Sequence, residues 1–222
     1  MRILMPQNCL LCNAEAGPAI LCPDCLADLP IQAIPACPIC AQPTTSGESC
    51  GSCLRRPPAF KRTLVAYQYA FPLDQLVHAL KYQHQFAVID TLTAPLIAAL
   101  RAVPLPDAVI AMPLHPLRLR ERGFNQSLLL ARYISHQLQL PLLTAACTRT
   151  RNTAAQTTLS IQQRQKNLRG AFACGAAVAN RRIAIIDDVM TSGSSLESLA
   201  AALLNAGAGE VECWVVARAV LS

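Results

Sequence analysis

The sequence predicts an α/β fold: a mostly parallel sheet flanked by helices, preceded by a small cysteine-rich region. Three observations carry that expectation. After residue 59, short β-type runs alternate with helical patterns, as they must when parallel strands are joined by crossover helices. One run, Ile183-Ala184-Ile185-Ile186, is apolar at consecutive positions, which suits a strand covered on both faces. Finally, eight of the eleven cysteines form four Cys-x-x-Cys pairs in the first quarter of the chain.

Residues 1–58 form the first unit expected from the sequence and 59–222 the second, with Arg55-Arg56-Pro57-Pro58 as the linker. The first unit is rich in cysteine and proline and has no helical periodicity. A unit this small buries too little apolar surface to fold alone, so bound metal is expected to supply folding free energy. The pairs are Cys9/Cys12, Cys22/Cys25, Cys37/Cys40 and Cys50/Cys53. Nine residues separate the first pair from the second and the third from the fourth, a tandem arrangement. Zinc takes four tetrahedral thiolates, so two pairs serve one ion and two structural zinc ions are expected. Sequential pairing and interleaved pairing both satisfy the spacing, and a redox-active or iron–sulfur region is the rival reading. No open coordination position is implied. Eight thiolates on two Zn²⁺ ions lower the formal charge of +6 to about +2, so charge alone does not indicate a nucleic-acid-coating surface.

In the second unit, Thr63 to Ala70 alternates as a strand and Leu73 to Tyr82 reads as an amphipathic helix. Val88 to Arg101 reads as another helix, with Pro95 an awkward residue inside it. Asp107 to Met112 is a buried-type strand, and Gln126 to Gln139 is a helix with Asn125 near its start. Leu142 to Thr144 and Phe172 to Cys174 read as short strands. Residues 149–169 are polar, with a helical latter half. Leu196 to Gly207 is a helix closed by Asn205-Ala206-Gly207, and Val211 to Ala217 is a strand holding the only tryptophan, Trp214. His78, His84 and His136 read as surface or core residues, and Cys147, Cys174 and Cys213 as buried small hydrophobes.

The candidate site follows the Ile183–Ile186 strand: Asp187-Asp188-Val189-Met190-Thr191-Ser192-Gly193-Ser194-Ser195. Thr191 to Ser195 then lie between a strand's carboxyl end and a helix's amino end, where open α/β sheets bind ligands. A phosphate there would meet free backbone N–H groups, the positive end of a helix dipole and four hydroxyls. Gly193 allows close approach of the backbone and a positive φ. The dipole alone, roughly 0.3–1 kcal/mol, is too small, so charge-assisted hydrogen bonds must do most of the holding. Asp187 and Asp188 repel each other unless ribose hydroxyls or a hydrated Mg²⁺ sit between them. The sequence has no Gly-x-x-x-x-Gly-Lys-Ser/Thr run, so a Walker-type nucleotide site is not supported.

Two further stretches suit an anionic ligand. Pro113-Leu114-His115-Pro116-Leu117-Arg118-Leu119-Arg120-Glu121-Arg122-Gly123-Phe124-Asn125-Gln126 follows a strand, and its forked guanidinium groups match phosphate oxygens. The second runs from Arg149 and Arg151 through Gln156 to Arg164-Gln165-Lys166-Asn167-Leu168-Arg169-Gly170. A polar connection this long is a functional lid or a disordered segment.

The Asp187–Ser195 segment resembles the phosphoribosyl pyrophosphate (PRPP) motif of type I phosphoribosyltransferases. Together with Pro113–Gln126, the Arg149–Phe172 stretch and the paired cysteines, the chain is similar to the ComF family over nearly its whole length. That resemblance implies a zinc ribbon followed by a phosphoribosyltransferase-like domain. It implies that Asp187 and Asp188 hold ribose while Thr191, Ser192, Gly193, Ser194 and Ser195 cradle the 5′-phosphate. Less directly, it makes the segment around His115, Arg118, Arg120 and Arg122 a pyrophosphate loop. Arg149, Arg151, Gln156 and Arg164 would then belong to a mobile loop. It further implies Mg²⁺-assisted PRPP binding and a role in natural competence, with single-stranded DNA or a DNA-uptake protein as partner. An active phosphoribosyltransferase in nucleotide salvage, of unidentified acceptor, is the alternative. No apolar run approaches the ~20 residues that span a bilayer, and the Met1–Pro6 start is too short for a signal peptide. With cysteines spaced for metal, a cytoplasmic protein is expected.

Overall fold

The computed structural model describes residues 7–151 and 170–220. The cysteine-rich region comes first. Strands β1 (Gln7–Asn8) and β2 (Glu15–Gly17) pair antiparallel, and two short helices follow, α1 (Pro23–Ala27) and α2 (Gly51–Arg55). Each helix starts on a cysteine, Cys22 or Cys50, so the tandem repeat in the sequence is also a repeat in structure.

The remaining elements are β3 (Thr63–Gln68), α3 (Leu73–Tyr82), α4 (Val88–Leu100), β4 (Ala108–Ala111), α5 (Pro116–Arg122) and α6 (Gln126–Leu138). They continue with β5 (Cys147–Arg149), β6 (Phe172–Cys174), β7 (Arg182–Met190), α7 (Ser194–Asn205) and β8 (Glu210–Arg218). The main sheet has the order β3-β8-β7-β4, and every neighbouring pair in it is parallel. The last strand of the chain therefore lies inside the sheet.

Alternation along β7 sorts the core into two layers, because successive side chains leave a strand on opposite faces. Ala184 and Ile186 join Trp214 and Val216 against Leu76, Leu80, Leu92, Leu96, Leu130 and Ile134 of α3, α4 and α6. Ile183 and Ile185 join Cys213 and Val215 against Leu196, Leu199 and Leu203 of α7. Each fully buried aliphatic side chain contributes roughly 1.5–3 kcal/mol, so both faces need their helices. Consecutive apolar residues in β7 and β8 are the sequence trace of that double cover.

Pro95 sits inside α4, as the sequence suggested. Without an N–H it leaves the Thr91 carbonyl unpaired in the helix, and the buried Tyr67 hydroxyl donates to that carbonyl at 2.8 Å. Asn125 caps α6, its side chain accepting from the Ser127 and Leu128 amides. Four readings needed adjustment. β7 runs through both acids to Met190 instead of ending at Ile186, because its pairing with β8 continues to Met190 opposite Arg218. Residues 116–122 form a helix, started by Pro116 and stopped by Gly123 in the left-handed region at φ 81°. Leu142 makes a single parallel bridge to Val109 and no longer strand. Cys147 and Cys174 are not separate small hydrophobes: antiparallel pairing of β5 with β6 sets them opposite each other, and they form a disulfide. Cys213 is buried in the core as expected.

The cysteine-rich region packs on the β3 edge of the sheet. The Gln32 amide donates to Ala66 O at 2.9 Å, the Gln68 amide to Pro30 O at 2.8 Å and the Thr63 amide to Pro38 O at 3.1 Å. An edge that would otherwise expose unpaired backbone is thereby covered.

Candidate phosphoribosyl site and metal centres

Asp187 and Asp188 lie near the carboxyl end of β7, and their side chains leave the strand on opposite faces. Three elements hold them. From the first turn of α6, Ser127 Oγ donates to Asp187 Oδ1 at 2.8 Å, and Gln126 Nε2 donates to Asp188 Oδ1 at 3.0 Å. The Asp188 amide also donates to Asp187 Oδ1 at 3.0 Å. From α3, Lys81 makes an ion pair with Asp188 Oδ2. Burial, then repulsion from Asp188, pushes Asp187 up from the ordinary carboxyl value to about 7. Burial would raise Asp188 too, but Lys81 and the Gln126 amide outweigh it and hold that carboxyl below its usual range. Lys81 in turn is held protonated: burial works against its charge, and Asp188 more than compensates.

Below the acids, Thr191-Ser192-Gly193 turns into α7. Gly193 has φ 77°, a left-handed conformation that strains any residue with a Cβ, and a Cβ there would also push aside the flexible end of Met190, 2.7 Å away at Cε. The residue before α7, Gly193, has no side chain to cap it; the Ser194 amide meets Ser192 Oγ at a long 3.4 Å, and the amides after it are left to serve an anion. Ser192 Oγ and Ser194 Oγ are 2.9 Å apart at the lip of this cup. Val189 and Met190 turn their side chains into the two core layers, so what they can offer a ligand is backbone.

Arg218 was not anticipated. It ends the apolar β8 strand, is 2% exposed, and donates to four backbone carbonyls. Its Nε reaches Cys40 O at 2.8 Å, and its Nη1 reaches Met190 O, Thr191 O and Ala219 O. It thus ties a cysteine knuckle to the turn. Lys81 was also missed. Its signal was available: it lies four residues after Val77 and eight after Leu73, on the apolar stripe of α3, where a lysine needs a buried partner.

The candidate arginines divide. Arg122 Nη1 donates to Gln126 Oε1 at 2.6 Å, linking it through Gln126 to Asp188. Arg149 lies over the Phe172 ring and close enough to Asp187 and Arg118 to feel both, while burial lowers its pKa. Arg118 faces Glu121 at 3.9 Å, and Arg120 and Arg151 are exposed. His115 caps α5, its Nδ1 accepting from the Leu117 amide at 3.3 Å. Gln156 and Arg164 lie outside the described residues.

The eight cysteines gather sequentially into Cys9, Cys12, Cys22, Cys25 and Cys37, Cys40, Cys50, Cys53, with all four sulfurs of each set within 4.8 Å of one another. The interleaved alternative is thereby excluded. Knuckle amides outweigh burial and lower the Cys9 thiol to about 6 and the Cys37 thiol to about 7. The Cys12 thiol pushes Cys25 up, and burial and the neighbouring thiols push up Cys40 and Cys53, as sulfurs crowded together do until a cation sits between them. Four sulfurs at this spacing fit tetrahedral zinc with no open position.

Residues 1–54 match the double zinc ribbon domain family, and residues 125–220 match the phosphoribosyl transferase domain family. DNA utilization protein YhgH of Shigella flexneri is 38% identical over 189 residues, 82% of this chain and 83% of that one. Competence protein F of Haemophilus influenzae is 32% identical over 224 residues, 96% of this chain and 97% of that one. The chain belongs to the ComF family. In this ComF chain the two tetrads are the two metal sites of a double zinc ribbon, and the acid doublet and its turn fall within the phosphoribosyl transferase domain. Among solved structures, glutamine PRPP amidotransferase from B. subtilis, complexed with ADP and GMP, aligns with a TM-score of 0.41 at 19% identity. That alignment covers 59% of the ComF chain and 26% of the other. No helix among the described residues is long and apolar enough to cross a membrane.

Proposed function

We propose that this ComF chain binds PRPP with Mg²⁺ in the cup between β7 and α7, and that it serves the uptake and use of external DNA. The observation that carries the ligand assignment is the acid doublet held beside an uncapped helix amino end. Asp187 and Asp188 would take the ribose hydroxyls, and the Thr191–Ser195 amides and hydroxyls the 5′-phosphate. Hard carboxylate oxygens are donors Mg²⁺ accepts, and the ion would neutralise pyrophosphate charge. Lys81 supplies the positive charge that keeps Asp188 ionised beside its neighbour. The names of the relatives support the DNA role.

Calorimetry with PRPP, with and without Mg²⁺, tests the ligand assignment. Asp187→Ala/Asp188→Ala is expected to abolish binding, and unchanged affinity would remove the site. Turnover in nucleotide salvage is the second reading. It is favoured by Arg149 and Arg118 lying within electrostatic reach of each other and Arg149 near Asp187, an arrangement suited to a leaving pyrophosphate. Pyrophosphate release with a panel of bases tests it, and silence across the panel leaves a binding protein.

A further inference from the structure

Cys147 and Cys174 take no part in the zinc tetrads, and their bond borders a cavity that shares Ser194 with the phosphoribosyl cup. They face each other across the β5–β6 ladder with their Cα atoms 4.1 Å apart. The Thr150 amide donates to Ala171 O at 2.8 Å and the Gly175 amide to Ala146 O at 2.9 Å. By the alternation of an antiparallel ladder, 147–174 and 149–172 are then the close pairs that exchange no backbone hydrogen bond. Side chains two apart leave a strand on one face, so the disulfide stands next to the Arg149–Phe172 contact, 5.6 Å from guanidinium to ring centroid. The two sulfurs differ in access. Cys147 is 7% exposed, whereas Cys174 is half-buried and lines a cavity of about 470 Å³. Among the described residues, Phe172, Arg56 and the Ser194, Glu197 and Asn205 side of α7 also line it. A sulfur, a cation, an anion, an amide and a hydroxyl thus share one space of ligand size. The Glu197 carboxylate accepts the Ala59 amide at 2.8 Å, which fixes its place on the wall.

We propose that this cavity receives a low-molecular-weight peptide thiol of the glutathione class, which opens the Cys147–Cys174 bond by attack at Cys174. Such a thiol carries carboxylates for Arg56 and an ammonium for Glu197. Zinc ligation needs eight cysteines kept reduced, and where thiols stay reduced a disulfide is an exchanging bond, not a permanent brace. The incoming thiolate forms a bond to Cys174 Sγ as the Cys147–Cys174 bond breaks, and Cys147 leaves as a thiolate that takes a proton. A second thiol then attacks the sulfur of the first and releases Cys174. Two peptide thiols become one peptide disulfide, and the protein gains two electrons and two protons. Opening removes the covalent tie from strands of only three residues each, the pair that carries Arg149. The consequence for the cup rests on the phosphoribosyl reading above. With β5 released, Arg149 no longer stands fixed near Asp187, and PRPP binds more weakly.

The test places the full zinc-loaded chain in glutathione buffers of graded reduced-to-oxidised ratio and counts free thiols by alkylation and peptide mass. The wild type is expected to pass from a closed to an open Cys147–Cys174 pair within that range. A bond that stays closed in reduced glutathione alone would be a fixed brace and would overturn the proposal, as would a bond that never forms in glutathione disulfide. Cys147→Ser in glutathione disulfide should carry glutathione on Cys174, whereas Cys174→Ser should leave Cys147 unmodified. Equal labelling of the two would refute attack from the cavity. Arg56→Gln should slow opening by glutathione about tenfold relative to opening by mercaptoethanol, a neutral thiol, as one lost charge-assisted hydrogen bond does. An unchanged ratio of the two rates would remove the cavity's part in recognition. By calorimetry the closed form should bind PRPP about tenfold more tightly than the open form, and Arg149→Gln equally in both. Equal wild-type affinity in the two forms would overturn the coupling. No PRPP binding in either form would sink the ligand reading and the coupling with it, while alkylation would still decide the exchange site.

Discussion

Replacing Arg218 with leucine should cost about 3 kcal/mol of stability, although Arg218 belongs to neither the cup nor a metal site. The figure follows from its four acceptors. Met190 O keeps the Ala219 amide at 3.0 Å, and Ala219 O keeps the Gln42 side chain at 3.0 Å. Cys40 O and Thr191 O keep no other donor among the described residues. Thr191 is exposed and Cys40 half-buried, so water takes up part of what is lost; bonds from a charged donor contribute roughly 1.5–3 kcal/mol each, and the two together about 3. Relief from burying a guanidinium offsets part of that, since its desolvation is itself unfavourable. For a domain of this size the loss lowers Tm by roughly 6–12 °C. Urea unfolding of the zinc-loaded protein, followed by the fluorescence of the fully buried Trp214, provides the assay. Arg218→Lys should fall between wild type and Arg218→Leu, because an ammonium keeps the charge but cannot span both carbonyls. A melting temperature for Arg218→Leu within about 1 °C of wild type would refute the argument that this side chain joins ribbon to turn.

Asp187 gives a pH dependence with a defined sign. Its folded-state pKa, raised to about 7 by burial and by Asp188, means the folded chain holds a proton that the unfolded chain has released. Its contribution is therefore present below about pH 4 and is lost as pH rises towards 7. Asp187→Asn should flatten that decline in melting temperature, and a slope identical to wild type would show that another group controls it. For the metal, zinc analysis should give two ions per chain, and Cys37→Ser and Cys9→Ser should each remove one. A stoichiometry well below two in the wild type would disprove paired tetrads.

Much of the fold was legible because the relevant physics is local. Apolar residues at every position of Ile183–Ile186 require cover on both faces, wherever the helices come from. Asn125 before an amphipathic run caps a helix using atoms two and three residues away. Cys-x-x-Cys spacing creates a knuckle within one turn of chain. The acids followed by a hydroxyl-rich turn were legible for the same reason, since one strand end and one helix start make the cup. The helix at 116–122 was missed because its run of alternating leucine and arginine has no buried face, and α5 indeed buries none of its residues.

From the sequence alone came the layered α/β architecture, the paired metal knuckles and the acid-and-hydroxyl turn, all set by residues within a few positions of each other. The tertiary structure alone decided that Lys81 meets Asp188, that Arg218 bridges Cys40 to Thr191 and that Cys147 faces Cys174. It also decided that Arg122 lies over the Tyr82 ring and that Phe86 meets Phe124 edge to face. The physical reason is strand order. In this sheet order Lys81 meets Asp188 and Arg218 meets Cys40 across more than a hundred residues, while the nearer pairs are joined only by how their elements pack, and no local periodicity records which of them meet.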